Sequence, residues 1–429
     1  MKPSETIAQV EASNEGVPPL TGWRKTFVAL HTANYRYFFM GQGVSLMGTW
    51  ARSTALSWMV FAITKSELML GVVSFLNSLP FFVFAIYAGS LADRFPKLRI
   101  FTLTSCFAMT CSLVLSLLLF HGSVGIGVLL IFAPLWGLAV AFEMPARQTL
   151  MVELVGKKDL VNAIALNSAM VNSSRVIGPA IGSNLYALFG PAWCFLMDAF
   201  SFLAVLFGIY KIKLPAVTEP KTPRGGLKYI LEGFGHLKTN PIMAQAICLL
   251  LVMGMGGWAY QSQMPAFVVT QLGKGVKFNG LIMSLNGFGA CTAALAVANL
   301  GKKLVSVKSM YRGIAIYCLA IITLGQMHNP IAAVIVIFFA GFGIILFFSI
   351  GNSLIQTHSP DHLRGRIMGI WALVFGGAMP IGSLWMGVVA SHTGSGRVLQ
   401  IGGLFCAMGA LFVYWLFRRD NPKHSTLNH

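Results

Sequence analysis

Long apolar segments alternate with short polar connections along almost the whole chain. A helix needs about 20 mainly apolar residues to cross a bilayer, because each residue adds roughly 1.5 Å along the helix axis. On this measure the pattern predicts twelve membrane-spanning helices and therefore an all-α membrane protein. The predicted spans are residues 37–63, 69–92, 100–120, 122–146, 160–187, 192–212, 241–266, 278–300, 311–327, 330–354, 366–390 and 396–417.

Composition indicates the same class of protein. Hydrophobic residues make up 56% of the 429 residues and charged residues 10%, and the mean hydropathy is +0.72. These values lie far outside those of a soluble domain of this length. All seven cysteines fall within or at the ends of apolar segments. They are therefore expected to pack as small apolar side chains rather than to form disulfides or a metal site.

The net charge of +18 would suggest a nucleic-acid partner in a soluble protein. Here 25 of the 31 lysines and arginines lie in or beside the two tails and every second connection. Such residues gather on the cytoplasmic side of spanning helices. The pattern therefore predicts that both termini are cytoplasmic, and that the charge contacts anionic lipid headgroups rather than nucleic acid.

One long polar segment divides the predicted spans into two sets of six. Within it, apolar residues at helical spacing over 227–238 indicate a short helix on the membrane surface. The predicted domains are an N-terminal tail over 1–36, a six-helix bundle over 37–212, a linker over 213–240, a second six-helix bundle over 241–418 and a C-terminal tail over 419–429. Two such pseudo-symmetric bundles are typical of transporters in which one half rocks against the other.

Matching glycines and prolines occur in the two halves. The fifth span contains Gly178, Pro179 and Gly182, and the eleventh contains Pro380 and Gly382. Proline interrupts the hydrogen bonds of a helix and glycine reduces its bulk. These residues predict a pair of helices that flex where the halves meet; ordinary kinked packing is the alternative.

The connection between the second and third spans carries a recognisable motif. Its sequence over 89–99, Gly-Ser-Leu-Ala-Asp-Arg-Phe-Pro-Lys-Leu-Arg, resembles the signature of the major facilitator superfamily. The Gly-Pro motif of the fifth span resembles that family's antiporter motif. The sequences of residues 145–148 and 360–366 resemble those found in one branch of the family, the drug and siderophore exporters. This branch includes macrolide efflux pumps and the enterobactin exporter. The resemblance implies the twelve-helix major facilitator fold.

The resemblance also implies a latch that closes the cytoplasmic side. Asp93 would lie near the N-terminus of the eleventh span, where a helix favours negative charge, and Arg94 with nearby basic residues would complete a charge cluster. Gly89 would let a neighbouring helix approach closely. The alternative is a simple topological charge. The predicted latch consists of Gly89, Asp93, Arg94, Lys97, Arg99, Arg364 and Arg366.

Four charged residues lie three or more residues from either end of a predicted span, where each needs a partner or a water-filled cavity. Arg52 is predicted to meet an anionic substrate group, to pair with Asp198 or to snorkel. Arg175 and Asp198 are predicted to form a structural bridge or to act in coupling, with Asp198 as the proton carrier if it is unpaired. Glu143 is the rival proton site, unless it pairs with Arg147 one turn on.

In the family, the first, fourth, seventh and tenth spans line a central cavity. Aromatic and amide side chains on these spans suit a bulky, partly aromatic or amphipathic substrate better than a sugar. Interfacial aromatic residues and plain packing are the alternatives. The predicted cavity residues are Gln42, Trp50, Arg52, Trp136, Trp258, Gln261, Phe347, Phe348 and Asn352.

The sequence contains no pattern typical of an enzyme. None of the nine histidines lies well inside a span, and no metal-ligand cluster, catalytic motif, cofactor motif or nucleotide-binding loop is found. We therefore predict a monomeric secondary transporter of the bacterial inner membrane that exports an amphipathic drug-like compound or siderophore, with protons as the coupling ion. A lysophospholipid flippase and a ligand sensor that does not transport are the alternatives.

Overall fold

A computed structural model describes five stretches of the chain, which are residues 27–122, 124–214, 235–237, 240–360 and 363–419. Regular structure in these stretches is helical throughout. The α-helices are α1 Ala33–Thr64, α2 Glu67–Arg94, α3 Lys97–Phe120, α4 Ile126–Phe189, α5 Pro191–Lys211, α6 Pro241–Val252, α7 Met264–Thr270, α8 Val276–Leu300, α9 Val307–Leu324, α10 Pro330–His358, α11 Arg364–Thr393 and α12 Ser395–Arg419.

Helix α4 contains two predicted spans joined at Gly156. This glycine has φ 68° and ψ −179°, which no helical residue adopts. A positive φ costs glycine little because it has no Cβ. Gly156 therefore separates a first arm, Ile126–Gly156, from a second arm over residues 157–189, and the chain turns there without an intervening loop.

Ten segments of the described residues are long and apolar enough to cross a membrane. They are Glu67–Ala85, Lys97–Phe120, Ile126–Gly156, Pro191–Lys211, Pro241–Thr270, Val276–Leu300, Val307–Leu324, Pro330–His358, Arg364–Thr393 and Ser395–Arg418. The predicted first and fifth spans correspond to α1 and the second arm of α4, which are helical but more polar. The prediction of membrane spans is therefore confirmed for ten segments and stays a prediction for these two.

The seventh span is an irregular helix. After α6 the backbone widens into a π-helical turn, Met253–Gly257, and then tightens into a 3₁₀ turn, Ala259–Gln263, before α7 begins. The π turn has the sequence Met-Gly-Met-Gly-Gly, whose glycines leave room for neighbouring helices. π-Helical turns inside helices are frequently found at functional sites. This irregularity places Trp258 and Gln261 at the wall of the cavity described below.

Helices α1–α5 pack mainly against one another, and α6–α12 do the same. Contact between these two halves is made chiefly by α2 with α11 and by the second arm of α4 with α8. The fold is thus the all-helical, two-bundle arrangement predicted. The domain limits stay predictions, and the surface helix predicted over 227–238 lies outside the described residues except at 235–237.

The two ends of the bundle differ in how tightly the halves pack. The far end carries the turn between α1 and α2 and the turn between α11 and α12, and the tail end carries the start of α1 and the end of α12. At the far end, a Cβ added to Gly71 would lie 2.8 Å from the Gly387 Cα, and one added to Gly280 would lie 2.8 Å from the Pro179 carbonyl oxygen. These glycines let the halves touch backbone to backbone there.

Near the tail end the same test gives the opposite result. A Cβ added to Gly89 or Gly365 would meet no described atom within 4 Å. The close helix approach predicted at Gly89 is not seen among the described residues and stays a prediction. The described residues thus show halves that meet backbone to backbone at the far end, with no such approach seen at these two glycines.

The glycines of the predicted bend motifs pack within each half. A Cβ on Gly178 would lie 2.4 Å from the Trp50 Cβ, and one on Gly182 would lie 2.6 Å from the Ala51 Cα. In the other half, a Cβ on Gly382 would crowd the Met255 carbonyl oxygen. These glycines bring the second arm of α4 close to α1, and α11 close to the π turn. Flexing at the two prolines stays a prediction.

Candidate substrate cavity

A cavity of about 220 Å³ lies between the two halves. Its wall is formed by α1, α2 and the second arm of α4 from the first half, and by the irregular seventh span, α8 and α11 from the second. The prediction that the fourth and tenth spans line the cavity is not met by this wall. The second, fifth, eighth and eleventh spans contribute instead, because the halves close around the far end in this conformation.

Three of the predicted cavity residues, Trp50, Trp258 and Gln261, lie in the wall. Pro179, predicted as part of a bend motif, lies there as well. Serine and threonine hydroxyls and asparagine amides supply most of the remaining polar surface. A wall of two indoles among small neutral polar groups suits a ligand that has both an apolar part and hydrogen-bonding groups.

The other predicted cavity residues lie elsewhere, and Arg52 is treated with its partner below. Gln42, Trp136 and Phe347 are buried in the packing of their own halves. Phe348 packs its ring 5.1 Å from that of Phe375. Asn352 accepts a hydrogen bond from the Gln356 side chain one turn on. The sequence identified the aromatic and amide residues of these spans. It did not show which side of its helix each residue occupies.

Arg175 is the charged residue that the structure places in the cavity wall. Its side chain comes from the second arm of α4 and is only 5% exposed. The guanidinium carbon Cζ lies 5.6 Å from the ring centroid of Trp50 and 5.1 Å from that of Trp258. Contacts of this kind attract a cation to the face of an aromatic ring. Arg175 therefore contacts both halves of the protein through two indoles.

Asn286 of α8 completes the surroundings of Arg175. Its Oδ1 accepts a hydrogen bond from Arg175 Nη2 at 3.4 Å, and its Nδ2 donates to the Tyr260 hydroxyl and to the Ile337 carbonyl. These two donated bonds fix which way the amide faces, so its oxygen is directed to the guanidinium. Asn286 was not predicted from the sequence; an amide near the middle of an apolar span was the available signal.

Arg52 and Asp198 form a buried ion pair inside the first half. Arg52 Nε lies 2.9 Å from Asp198 Oδ2, and neither residue is appreciably exposed. The same carboxylate oxygen accepts a hydrogen bond from Ser112 Oγ at 2.6 Å. Trp136 covers the pair, because its ring centroid lies 4.2 Å from Arg52 Cζ and its Nε1 donates to Ser112.

This pair corrects two predictions. The alternative bridge between Arg175 and Asp198 is wrong, because Asp198 is bound by Arg52 while Arg175 faces the cavity. Arg52 likewise does not line the cavity, so it is not placed to meet a substrate group there. The physical reason is helix rotation, since α1 presents Arg52 to α5 and Trp50 to the cavity.

Glu143 is also paired. Its Oε1 lies 3.6 Å from Arg147 Nη1, one helical turn away in the first arm of α4. A glutamate placed N-terminal to its basic partner is the favourable order for such a helix pair. The structure therefore shows the pair that was the alternative to a proton site at Glu143.

The predicted latch lies at the tail end. Lys97 Nζ lies 3.0 Å from Glu153 Oε1, which joins the start of α3 to the first arm of α4. Arg94, Arg99 and Arg364 are exposed, and Arg366 is half-buried. Nothing is described of the Asp93 side chain, so the latch as a whole stays a prediction.

The model of a family described as transmembrane secretion effectors matches residues 24–426. The staphyloferrin A transporter of Staphylococcus aureus is 26% identical over 92% of this chain and 99% of its own. The enterobactin exporter EntS of Citrobacter koseri is 28% identical over 86% and 90%. The multidrug efflux pump Tap of Mycolicibacterium fortuitum is 25% identical over 82% and 87%.

Solved structures agree in fold. A bacterial homologue of the human lysosomal transporter Spinster superimposes with a TM-score of 0.71 at 13% identity, over 93% of this chain and 98% of its own. The nucleoside transporter NupG gives a TM-score of 0.71 at 12% identity, over 90% and 99%. Because the family model covers nearly the whole chain, the protein belongs to the transmembrane secretion effectors of the major facilitator superfamily and is a membrane transporter of small molecules rather than an enzyme.

Proposed function

We propose that this protein exports an amphipathic small molecule, of the drug or siderophore type, across the bacterial inner membrane by alternating access. The observation that carries the proposal is the cavity between two halves that meet backbone to backbone at the far end, while a Cβ at Gly89 or Gly365 of the tail end would meet no described atom within 4 Å. A site shared by two halves can be exposed to either side in turn if the halves rock about it. The printed activities of the three relatives support an exporter of this class.

The charge pattern supplies the orientation in this proposal. Lysine and arginine are concentrated in the tails and in the connections at the tail end. The tail end would therefore face the cytoplasm, with both termini there. A cavity closed at the far end would then take up its substrate from the cytoplasm, which is the loading step of an exporter. Surrounding lipids would contact the basic tail end, and a monomer would contain the complete site.

Proton coupling is a further part of the proposal. Asp198 and Glu143 are the carboxylate candidates, and each is paired with an arginine in this conformation. Binding a proton would therefore release Arg52 or Arg147, which gives either pair a means of changing helix contacts. Arg175 cannot release a proton at working pH, so we assign it to substrate binding instead of coupling.

Metabolite release tests the function directly. Cells with and without the protein would be compared for the small molecules in their medium, which reports direction and chemical class together. The compound that is enriched would then be added outside proteoliposomes, with and without a pH gradient across their membrane. Accumulation driven by the gradient is expected; release that does not depend on the protein would contradict the proposal.

Two further measurements address the alternatives. Counterflow of the labelled compound in proteoliposomes is expected for a carrier and absent for a sensor. Competition by lysophospholipid at equal concentration would identify a flippase, whereas an exporter of soluble compounds should be unaffected. Trp258→Ala is expected to raise the KM for counterflow, because one indole of the wall is lost.

A further inference from the structure

We propose that Arg175 binds an anionic group of the substrate, and that the substrate class is therefore organic acids with an apolar or aromatic part beside a carboxylate. This inference rests on the proposed function and specifies its substrate. It places the anion site at a residue of the cavity wall rather than at Arg52, for which the sequence left substrate binding, pairing with Asp198 and snorkelling open.

First, Arg175 has no carboxylate counter-ion among the described residues. Arg52, Lys97 and Arg147 each form an ion pair with the carboxylate of another described residue. Arg175 is as deeply buried as Arg52, yet no described carboxylate lies within 4 Å of it. It is also the one charged side chain among the described wall residues. A buried cation without an anion is unfavourable in a membrane protein, so an anion entering the cavity would be stabilised there.

The second step is the supply of hydrogen-bond donors. A guanidinium has five N–H donors in one plane, which match the two oxygens of a carboxylate. Asn286 accepts the one hydrogen bond that the Arg175 guanidinium donates to a described residue. The Gln261 amide nitrogen, also in the wall, is buried and makes no hydrogen bond of good geometry. The wall therefore holds more donors than the protein itself satisfies.

The third step is the size and lining of the space. A cavity of about 220 Å³ is smaller than the roughly 300–1,000 Å³ of typical small-molecule sites. It therefore holds a small acid, or the acidic end of a larger molecule whose remainder extends toward the tail end. Trp50 and Trp258 contact Arg175 and line the same space, so an apolar group next to the carboxylate would pack against indole.

The test uses the purified full chain in nanodiscs of zwitterionic lipid, at constant ionic strength. Thermal stability would be measured against 2-naphthoate and benzoate and against their neutral amides, 2-naphthamide and benzamide. A ligand that binds the folded state raises Tm with its concentration. We expect saturable stabilisation by at least one carboxylate, with the matching amide at least tenfold weaker.

Two variants identify the site, and one serves as control. Arg175→Gln is expected to weaken carboxylate binding at least tenfold. Asn286→Asp keeps the shape of the side chain and places a carboxylate where Oδ1 now contacts Arg175. This carboxylate would compete with the ligand for Arg175, so binding should weaken by a similar factor. Arg397→Gln removes an exposed arginine outside the wall and should leave binding unchanged.

Carboxylates that stabilise no better than their amides would overturn the inference, as would full binding by Arg175→Gln. Folding of each variant would be checked by size-exclusion chromatography, and Asn286→Asp retains Arg175 if the other variant does not fold. The proposed function fails separately. If carboxylates bind through Arg175 but no metabolite is exported, the anion site is supported and the proposed export is wrong. If export does not depend on Arg175, the proposed export is supported and the anion site is wrong.

Discussion

Arg52 Nε lies 2.9 Å from Asp198 Oδ2 in the interior of the first half, between α1 and α5. Arg175, one helix away, lies between two indoles with no carboxylate near it among the described residues. The two buried arginines therefore differ in one respect that matters for transport, which is whether the protein supplies the counter-ion. The predictions below follow from this difference and from the packing of the two halves.

Removing one member of the Arg52–Asp198 pair should destabilise the protein strongly. Asp198→Leu leaves a buried cation and Arg52→Met leaves a buried anion, each at a cost of about 3–5 kcal/mol. The double variant removes both charges and should recover most of this loss. Thermal unfolding of all four proteins in detergent measures the coupling between the two residues. If the stability losses of the two single variants simply add in the double variant, the ion pair does not contribute appreciably to stability.

Proton coupling can be assigned with conservative changes at the two carboxylates. Asp198→Asn and Glu143→Gln each remove the titratable group with little change of shape. If one of them is the coupling site, its variant should lose transport driven by a pH gradient while still binding the exported compound. Proteoliposome uptake with and without the gradient makes this comparison. Unchanged gradient dependence in both variants would place coupling at another residue.

Closure at the far end should depend on Gly71. Gly71→Ala places a Cβ 2.8 Å from the Gly387 Cα and 2.6 Å from the Ser383 carbonyl oxygen, so α2 and α11 must move apart. The variant should shift the population toward an open far end. The readout is labelling of a single cysteine at Ser57, in a cysteine-free background, by impermeant maleimide added at that end.

Gly127→Ala is the matched control for this experiment. Gly127 also lies near the far end, but a Cβ there would meet no described atom within 4 Å. Labelling of Ser57→Cys should therefore equal that of the parent. Equal labelling in the Gly71 and Gly127 variants would show that close glycine packing does not control this end.

The latch prediction is tested at Asp93. Asp93→Asn keeps the size of the side chain and removes its charge, so the interaction expected with the start of α11 should weaken. Folding should be largely intact and transport slower, because the tail-end closure would be less stable. Thermal stability and initial rates in vesicles provide the two readouts. A wild-type transport rate would favour the simpler topological charge.

The membrane class, the ten confirmed spans and the family were accessible from sequence because each depends on local information. Hydropathy over about 20 residues predicts a span, and the motif over 89–99 is a run of neighbours along the chain. The two segments that did not reach the hydropathy of a span, α1 and the second arm of α4, both contribute to the cavity wall. Polar residues of these segments that line the cavity, among them Ser57 and Arg175, lower their mean hydropathy.

The sequence did not show in the same way whether an individual side chain faces the cavity, a partner or the packed interior. A helix that is apolar on all sides gives a weak periodic signal, so the direction of Arg52 or Phe347 could not be read from the sequence. Asn286 was missed because its role depends on Tyr260 and Arg175, which lie on other spans.

The sequence by itself determined that this protein spans a membrane in two related halves, because hydropathy and motif spacing act along the chain. Only the tertiary structure decided that Asp198 binds Arg52 and that Arg175 lines the cavity. Ion pairing depends on helix rotation and on which helices are neighbours, and both are set by packing between segments far apart in sequence.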